Sequence, residues 1–231
     1  MRFPRDDTRH PLANAFRSFI GEPTFPCVGA KSALSRDQLT IVIARDVTSG
    51  WDDTRIYPAL LAFVSRYKRA PRLFCSLAIL FEQPGDLSEA GFEHALWARV
   101  QSLSDKDAWL GLPHDERVQP CPTDPHFSLS FGGEAFFVVG LHPNASRKAR
   151  RFHRPALVFN LHDQFEILRQ SGRYESLRES IGMRDLRFSG SLNPMLATHG
   201  ELSEARQYSG RVVDDDWVCP FRPRGDVADA T

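Results

Sequence analysis

The apolar positions along the chain follow two different periods, which predict where strands and helices lie. Nearly unbroken apolar runs of strand length occupy residues 39–44, 72–81, 135–141 and 156–159. Apolar residues recur at helical spacing in residues 12–20, 54–68, 87–103, 161–170 and 174–183, and a shorter helix is predicted over residues 28–34. Four prolines favour a loop over residues 111–125.

The order of these elements predicts the fold class. Strands alternate with helices but without regular βαβ spacing, so we expect an α+β fold with a central mixed β-sheet flanked by helices. A length of 231 residues fits a single domain over residues 1–231. Its ends, about residues 1–11 and 222–231, are expected to be flexible. A long polar loop is expected over residues 188–211, and loops of that length tend to carry function.

Two local features concern the predicted helices. Asp86 and Glu89 resemble a capping box at the start of the helix over residues 87–103. Gly182 lies inside the helix over residues 174–183, where glycine costs about 1 kcal/mol relative to alanine.

Charge and composition narrow the class of function. The chain has 29 basic and 29 acidic residues, which argues against non-specific nucleic-acid binding. The first ten residues are charged and lack the apolar core of a secretory leader, and no apolar run reaches membrane-spanning length. The four cysteines are widely spaced, without a C-x-x-C pair. We therefore expect a cytoplasmic protein with reduced thiols and no membrane partner.

The polar loop between the apolar runs at 135–141 and 156–159 holds the densest candidate chemistry, because two core strands fix what the loop displays. His142 directly follows the first of these runs. A neutral imidazole there could ligate a metal or haem iron. The alternative is a structural histidine that caps the strand by hydrogen bonding, which is the commoner role of a lone histidine.

Basic residues crowd the same loop. Arg147, Lys148, Arg150 and Arg151 follow one another closely. Arginine binds carboxylates and phosphates in bidentate fashion, and haem propionates are one such partner. The alternative is a solvated helix face. Nucleic-acid binding is a third interpretation, but the basic residues of this loop are not interleaved with aromatic residues that could stack on bases.

Cysteines and further histidines supply other candidate ligands. Cys27 and Cys219 each neighbour a proline and an aromatic residue, so either thiolate could serve as an axial haem ligand or a nucleophile. Free cysteine is more often a small buried apolar residue. His153 and His162 flank the run at 156–159, and a His/His/carboxylate metal site using Asp163 or Glu166 is conceivable.

No P-loop, G-x-G-x-x-G, H-E-x-x-H or G-x-S-x-G motif is present. Six motifs nevertheless resemble those of the YqcI/YcgG family, whose characterised members include haem-dependent N-hydroxylases of guanidino compounds such as the guanitoxin-pathway enzyme. They are FPCVGAKSAL (25–34), GLHPNASRKARRF (140–152), PALVFNLHDQFEILR (155–169), GSLNPML (190–196), SEARQYSG (203–210) and WVCPF (217–221). Their order and spacing match across residues 16–221.

The resemblance implies a b-type haem and insertion of one oxygen atom, from O₂ or peroxide, at a guanidino or amino nitrogen. It implies His142 as the first choice of iron ligand, with Cys27 second and His153 third. The arginines Arg147, Arg150 and Arg151 would then hold the propionates. A cationic substrate needs a buried carboxylate, since an unpaired buried charge is costly. Glu204 is the candidate for that carboxylate.

Three neighbours of Glu204 complete the site that the resemblance implies. Arg206, Gln207 and Tyr208 are expected near the distal face. No flavin or nicotinamide motif is present, so electrons would come from an external donor. The oligomeric state stays open, with a homodimer among the alternatives.

The sequence therefore predicts a haem-dependent monooxygenase that N-hydroxylates a small amino-acid-like substrate. Two rivals remain. One is a non-haem metalloenzyme that uses the region of His142, His153 and His162. The other is a haem-binding protein without turnover.

Overall fold

The computed structural model describes residues 9–195 and 201–223. Its strands are β1 (Leu39–Asp46), β2 (Ser76–Gln83), β3 (Leu129–Phe131), β4 (Glu134–Leu141) and β5 (Ala156–Leu161). Its α-helices are α1 (Pro11–Gly21), α2 (Val28–Ser35), α3 (Asp53–Arg69), α4 (Glu89–Trp109), α5 (His162–Gln170), α6 (Tyr174–Ser189) and α7 (Ala205–Tyr208). The predicted α+β class is confirmed.

The five strands form one mixed sheet in the order β1-β2-β5-β4-β3. Strands β1 and β2 are parallel, whereas β5 runs antiparallel to both β2 and β4. The connection from β4 to β5 is the basic loop, which includes a 3-10 turn over Lys148–Arg150. The loop therefore starts and ends on neighbouring strands near the centre of the sheet.

The two faces of the sheet bury different sets of residues, as the two-residue period of a strand requires. On β4, Phe136 and Val138 are fully buried and belong to the core formed with α3 and α4. The alternate residues Phe137 and Val139 are only half-buried and face the other side. That second side is covered by α1 and α2.

The strand predicted over residues 72–81 begins later than expected, at Ser76. Phe74 has φ +68°, in the left-handed region, which interrupts an extended strand. The side-chain amide of Gln164 both accepts from the Cys75 N–H, at 2.7 Å, and donates to the Cys75 carbonyl, at 2.8 Å. The Gln164 side chain thus forms the hydrogen bonds that the Cys75 backbone does not form with a neighbouring strand.

The predicted capping box at Asp86 and Glu89 is not the N-cap of α4. Ser88 is the N-cap, and its hydroxyl accepts a hydrogen bond from the Gly91 N–H at 3.1 Å. The helix also continues six residues beyond residue 103, to Trp109.

Helix α6 continues through Gly182 to Ser189, so it is longer than the helix predicted over 174–183. The short strand β3 and helix α7 were not predicted. Residues 1–8 and 224–231 of the predicted flexible ends, and 196–200 of the predicted long loop, lie outside the described residues. In the part of the chain that is described, no helix has the length and apolarity needed to cross a bilayer.

Candidate functional site

A cavity of about 390 Å³ lies on the face of the sheet opposite α3 and α4. Residues of α1, α2, α5 and α6 line it, together with side chains of β4 and β5. Five phenylalanines from separate segments give the wall an aromatic character: Phe16, Phe25, Phe74, Phe137 and Phe165. A largely apolar cavity with a few polar side chains is the usual form of a small-molecule site.

Cys27 brings a thiol into this wall at the start of α2. It is the N-cap residue, and its sulfur accepts a hydrogen bond from the Ala30 N–H at 3.4 Å. Burial raises the pKa of the Cys27 thiol, while the N–H groups of Ala30 and Gly29 and the charge of Arg150 oppose that rise. A helix N-terminus favours a thiolate over a thiol. The position therefore suits a sulfur that loses its proton to a metal.

Gly29 leaves space beside that sulfur. A Cβ placed on Gly29 would lie 3.8 Å from the Cys27 sulfur and 3.7 Å from the Phe74 ring, which is ordinary contact distance. Any side chain larger than alanine at position 29 would extend from a point already in contact with both groups.

Glu204 brings a buried carboxylate into the same cavity. One of its oxygens, Oε1, accepts hydrogen bonds from the Ser128 hydroxyl at 2.7 Å and the Tyr208 hydroxyl at 2.5 Å. The other oxygen, Oε2, lies 3.9 Å from Nε2 of His162. Burial raises the pKa of Glu204 to about 7, although both hydroxyl donors favour the charged form. The carboxyl group is thus held in place by one oxygen.

His162 lines the cavity next to Glu204. It is the first residue of α5 and is buried, and its Nδ1 lies 3.9 Å from the Glu166 carboxylate. The sequence pointed to His162 only as part of a metal-site alternative. Its place beside Glu204 depends on how α5 packs against the segment before α7, which no local pattern reveals.

The two arginines Arg147 and Arg150 also line the cavity, but their guanidinium groups already hold protein groups. Arg147 pairs with Asp185 of α6 at 2.5 Å and donates to the carbonyls of Ser191 and Leu192. Arg150 donates to the backbone carbonyls of three residues: Gly140, Gln207 and Tyr208. Burial lowers the pKa of Arg150 to about 10. Both side chains therefore tie the basic loop to its surroundings.

Arg169 of α5 and Arg178 of α6 are two further arginines in the cavity wall. The guanidinium of Arg169 lies 4.5 Å from the ring centroid of Tyr174 and bonds to Glu166. Arg178 pairs with Glu175 at 3.7 Å. Neither residue stands out in the sequence, because a charged residue on a helix is usually solvated.

His142 lies apart from the cavity. Its ring stacks on Phe92 of α4 with centroids 4.4 Å apart, within the core on the other side of the sheet. The side chain is 1% exposed, and Nδ1 has no hydrogen-bond partner among the residues that the structure describes. Burial lowers the pKa of His142 to about 4, so the imidazole is neutral at pH 7. The ligand implied first by the resemblance is thus separated by the sheet from the cavity that holds Cys27.

The remaining predicted site residues also differ in whether they line the cavity. Gln207 lines the cavity, and the Tyr208 hydroxyl donates a hydrogen bond to Glu204 in the cavity wall. Arg151 and Arg206 are not part of the wall. Arg151 donates to the Ala145 and Ser146 carbonyls, and Arg206 to the Val213 and Asp214 carbonyls.

The histidines of the predicted non-haem metal site do not lie together. His153 packs edge-on against Phe152, outside the cavity wall, whereas His162 lies within that wall. Among residues 9–195 and 201–223, no group of three or more His, Cys, Asp or Glu side chains is arranged to hold a metal ion.

The chemistry of the wall fits a b-type haem. A thiol at a helix N-terminus is a suitable axial ligand, and an imidazole and a carboxyl group are available as polar partners. Phenylalanine rings provide the apolar surface that a flat macrocycle buries, and arginines such as Arg169 and Arg178 can pair with carboxylates. Of the two ligands that the resemblance implies first, Cys27 lines the cavity and His142 does not.

A model of the YqcI/YcgG family matches residues 16–222, which cover every segment that lines this cavity. The chain belongs to the YqcI/YcgG family. It is similar to the uncharacterized protein YcgG of Bacillus subtilis (strain 168), with 29% identity over 215 residues that cover 86% of this chain and 81% of that protein. No solved structure matches the chain.

Proposed function

We propose that this YqcI/YcgG-family protein is a haem-dependent monooxygenase that N-hydroxylates a guanidino or amino group of a small substrate. The observation that carries the proposal is the presence of the Cys27 sulfur and the Glu204 carboxyl group in one mostly apolar cavity. The first provides an iron ligand. The second provides a partner for a cationic nitrogen group.

Cys27 is the residue that would hold the haem iron. Ligation requires the thiolate, and the Ala30 N–H and the N-terminus of α2 stabilise negative charge on the sulfur. When bound, the haem supplies oxygen activation. In the reaction one oxygen atom is inserted into an N–H bond. With O₂, the second atom leaves as water and an external donor supplies two electrons. Peroxide needs no such donor.

Glu204 is the proposed substrate-binding residue. Its Oε1 is fixed by Ser128 and Tyr208, which leaves Oε2 to accept hydrogen bonds from a guanidinium or ammonium group. A bound cation also lowers the pKa of Glu204 from about 7 and favours the charged carboxylate. The surrounding phenylalanines exclude water, which strengthens this ion pair.

Spectroscopy of protein expressed with a haem precursor tests the cofactor. We expect a Soret band and about one haem per chain in a pyridine haemochrome assay. The ferrous–CO complex should show the red-shifted Soret band of thiolate ligation. Protein that takes up no haemin would refute the proposal, and metal analysis would then test for non-haem iron.

Two matched variants test the ligand. Cys27→Ala is expected to lose the thiolate spectrum, whereas His142→Gln should retain it because His142 lies across the sheet. The reverse result would assign the iron to His142.

Substrate binding and turnover test the enzyme assignment. Guanidino compounds should shift the spectrum of the wild-type protein, and Glu204→Gln should weaken that response. Detection of an N-hydroxylated product with a suitable donor or peroxide separates an enzyme from a haem-binding protein without turnover.

A further inference from the structure

Among the residues that the structure describes, more arginines than acids line the cavity, although the whole chain is neutral by formal count. Its ionisable Arg, Asp and Glu side chains are Arg147, Arg150, Arg169, Arg178, Asp185 and Glu204. Among the described wall residues, four arginines therefore accompany two acids, while Glu166 and Glu175 pair with Arg169 and Arg178 from beside the wall. One of the acids, Glu204, is partly protonated near neutral pH because burial raises its pKa to about 7. An apolar cavity with surplus arginine favours a ligand that carries negative charge.

The four arginines are not equally available. Arg147 is buried and Arg150 half-buried, and they donate to Asp185 and to backbone carbonyls. If these two arginines turned to a ligand, Asp185 and the backbone carbonyls would lose their hydrogen bonds. Arg169 and Arg178 instead pair with glutamates on their own helices, one turn away, and their side chains are 24% and 38% exposed. Partly exposed ion pairs of this kind contribute little net free energy, so another carboxylate can replace the glutamate at small cost.

Arg169 and Arg178 also come from the two helices that meet beside the cavity. Residues of α5 and α6 contact each other, and both helices contribute apolar side chains to the same wall, including Leu168 and Ile181. The stacking of Arg169 on Tyr174 holds its guanidinium near the junction of the helices. Both side chains line the cavity and are partly exposed, so each is accessible to solvent as well as to the cavity.

We propose that Arg169 and Arg178 form a carboxylate-binding site at the entrance to the cavity. This proposal rests on the proposed function, and it assigns the anion-binding role to α5 and α6 instead of to the basic loop. Two sources of carboxylate fit: the propionates of haem and the α-carboxylate of an amino-acid substrate whose cationic end reaches Glu204. Both use the same charge-assisted, bidentate pairing with arginine.

The test compares Arg169→Gln/Arg178→Gln with Arg173→Gln/Arg187→Gln. The control removes the same charge from exposed positions beside and on α6 that do not line the cavity. Each protein is titrated with haemin and with haemin dimethyl ester, whose propionates are blocked. The haem-loaded proteins are then titrated with L-arginine and with agmatine, which lacks the carboxylate.

If the propionates are the ligand, the cavity variant should bind haemin at least about tenfold more weakly than the control and bind the dimethyl ester equally well. If the substrate carboxylate is the ligand, haemin binding should be unchanged. The L-arginine response should then need at least about tenfold more ligand, with agmatine unaffected. Unchanged responses to both haemin and L-arginine would overturn the proposal.

A further experiment distinguishes failure of the carboxylate site from failure of the proposed haem mechanism. If the wild-type protein binds no haemin, the haem mechanism fails, and thermal unfolding of the haem-free proteins is measured with L-arginine and agmatine. Stabilisation by L-arginine that exceeds that by agmatine and is lost only in the cavity variant would still support the carboxylate site. Equal stabilisation by the two ligands would refute it.

Discussion

The two faces of the central sheet are built differently. The face against α3 and α4 is closed, with fully buried Phe92, Phe136 and Phe159 in edge or stacked contacts. The face against α1, α2, α5 and α6 is incompletely filled and leaves a cavity of about 390 Å³. Close packing stabilises a fold, whereas space lined by polar groups accommodates a ligand. The first face is therefore a closed core, and the second carries the candidate site.

Successive residues of β4 show how sharply the faces differ. A Cβ placed on Gly140 would lie 2.7 Å from the Phe92 ring and 2.8 Å from Leu96. Its neighbours Val139 and Leu141 point into the cavity wall instead. His142 continues on the Gly140 side and stacks on Phe92. His142 thus lies on the closed side of the sheet, because it occupies the alternate positions to the residues of β4 that line the cavity.

The largest expected difference between the faces is the cost of removing an aromatic ring. Phe92→Ala should lower the free energy of unfolding by about 3–5 kcal/mol, because it opens a void in a closed core. Phe137→Ala should cost only about 1–2 kcal/mol, since Phe137 is half-buried and borders an existing cavity. Urea unfolding measures both. Equal costs would contradict the distinction between the faces.

The faces should also respond to pH in opposite directions. His142 has a folded pKa of about 4, below its ordinary 6.5, so its contribution is present above pH 6.5 and lost as pH falls through 4. Glu204 has a folded pKa of about 7, above its ordinary 4.5, so its contribution is present below pH 4.5 and lost as pH rises through 7. Each effect is at most about 3 kcal/mol.

Two variants separate these contributions. Relative to wild type, His142→Gln should make the free energy of unfolding fall more steeply as pH rises from 4.5 to 6.5, because the opposing contribution is gone. Glu204→Gln should make it rise more steeply over the same range. Chemical denaturation at half-unit pH steps measures the slopes, and a shift of both variants in the same direction would be inconsistent with the assignment.

A single added methyl group should distinguish the faces as well. Gly140→Ala is expected to destabilise the protein by about 1–3 kcal/mol, because its Cβ would overlap Phe92 and Leu96. The matched change on the cavity side is Gly29→Ala, whose Cβ meets its neighbours at 3.7–3.8 Å and should cost less than about 1 kcal/mol. Thermal unfolding of the two variants provides the comparison, which fails if Gly29→Ala is the more damaging.

The smallest expected effect concerns α6, which covers part of the cavity. Gly182→Ala should stabilise the protein by about 1 kcal/mol through helix propensity, since its Cβ would meet only Leu192 at 3.9 Å. Gly172→Ala is the control. It also has open space, but its φ of +67° should make alanine cost about 1–2 kcal/mol. Destabilisation by Gly182→Ala would show that α6 is not a regular helix at this point.

Local pattern predicted most of the elements because each depends on its own residues. The apolar run at 135–141 became β4, and the helical stripe at 12–20 became α1. The errors arose where a distant group intervenes. Gln164 bonds the backbone at Cys75 and β2 starts one residue later, while the left-handed Phe74 prevents an earlier start.

The candidate site was predicted only in part. The family motifs pointed to Cys27 and Glu204, which the fold brings to one cavity although 177 positions separate them in the chain. They did not reveal that Arg147 and Arg150 hold protein acceptors, or that Arg169 and Arg178 are more accessible. Hydrogen-bond partners far along the chain decide this, and no spacing rule encodes them.

The sequence by itself determined the α+β class, most helices and strands, and a family resemblance that the family match bears out. Only the tertiary structure decided which chemical groups share a cavity. The physical reason is the two-residue period of a β-strand, in which a displacement of one position moves a side chain to the opposite face of the sheet. His142 and Leu141 are adjacent in sequence, yet one stacks in the closed core and the other lines the cavity.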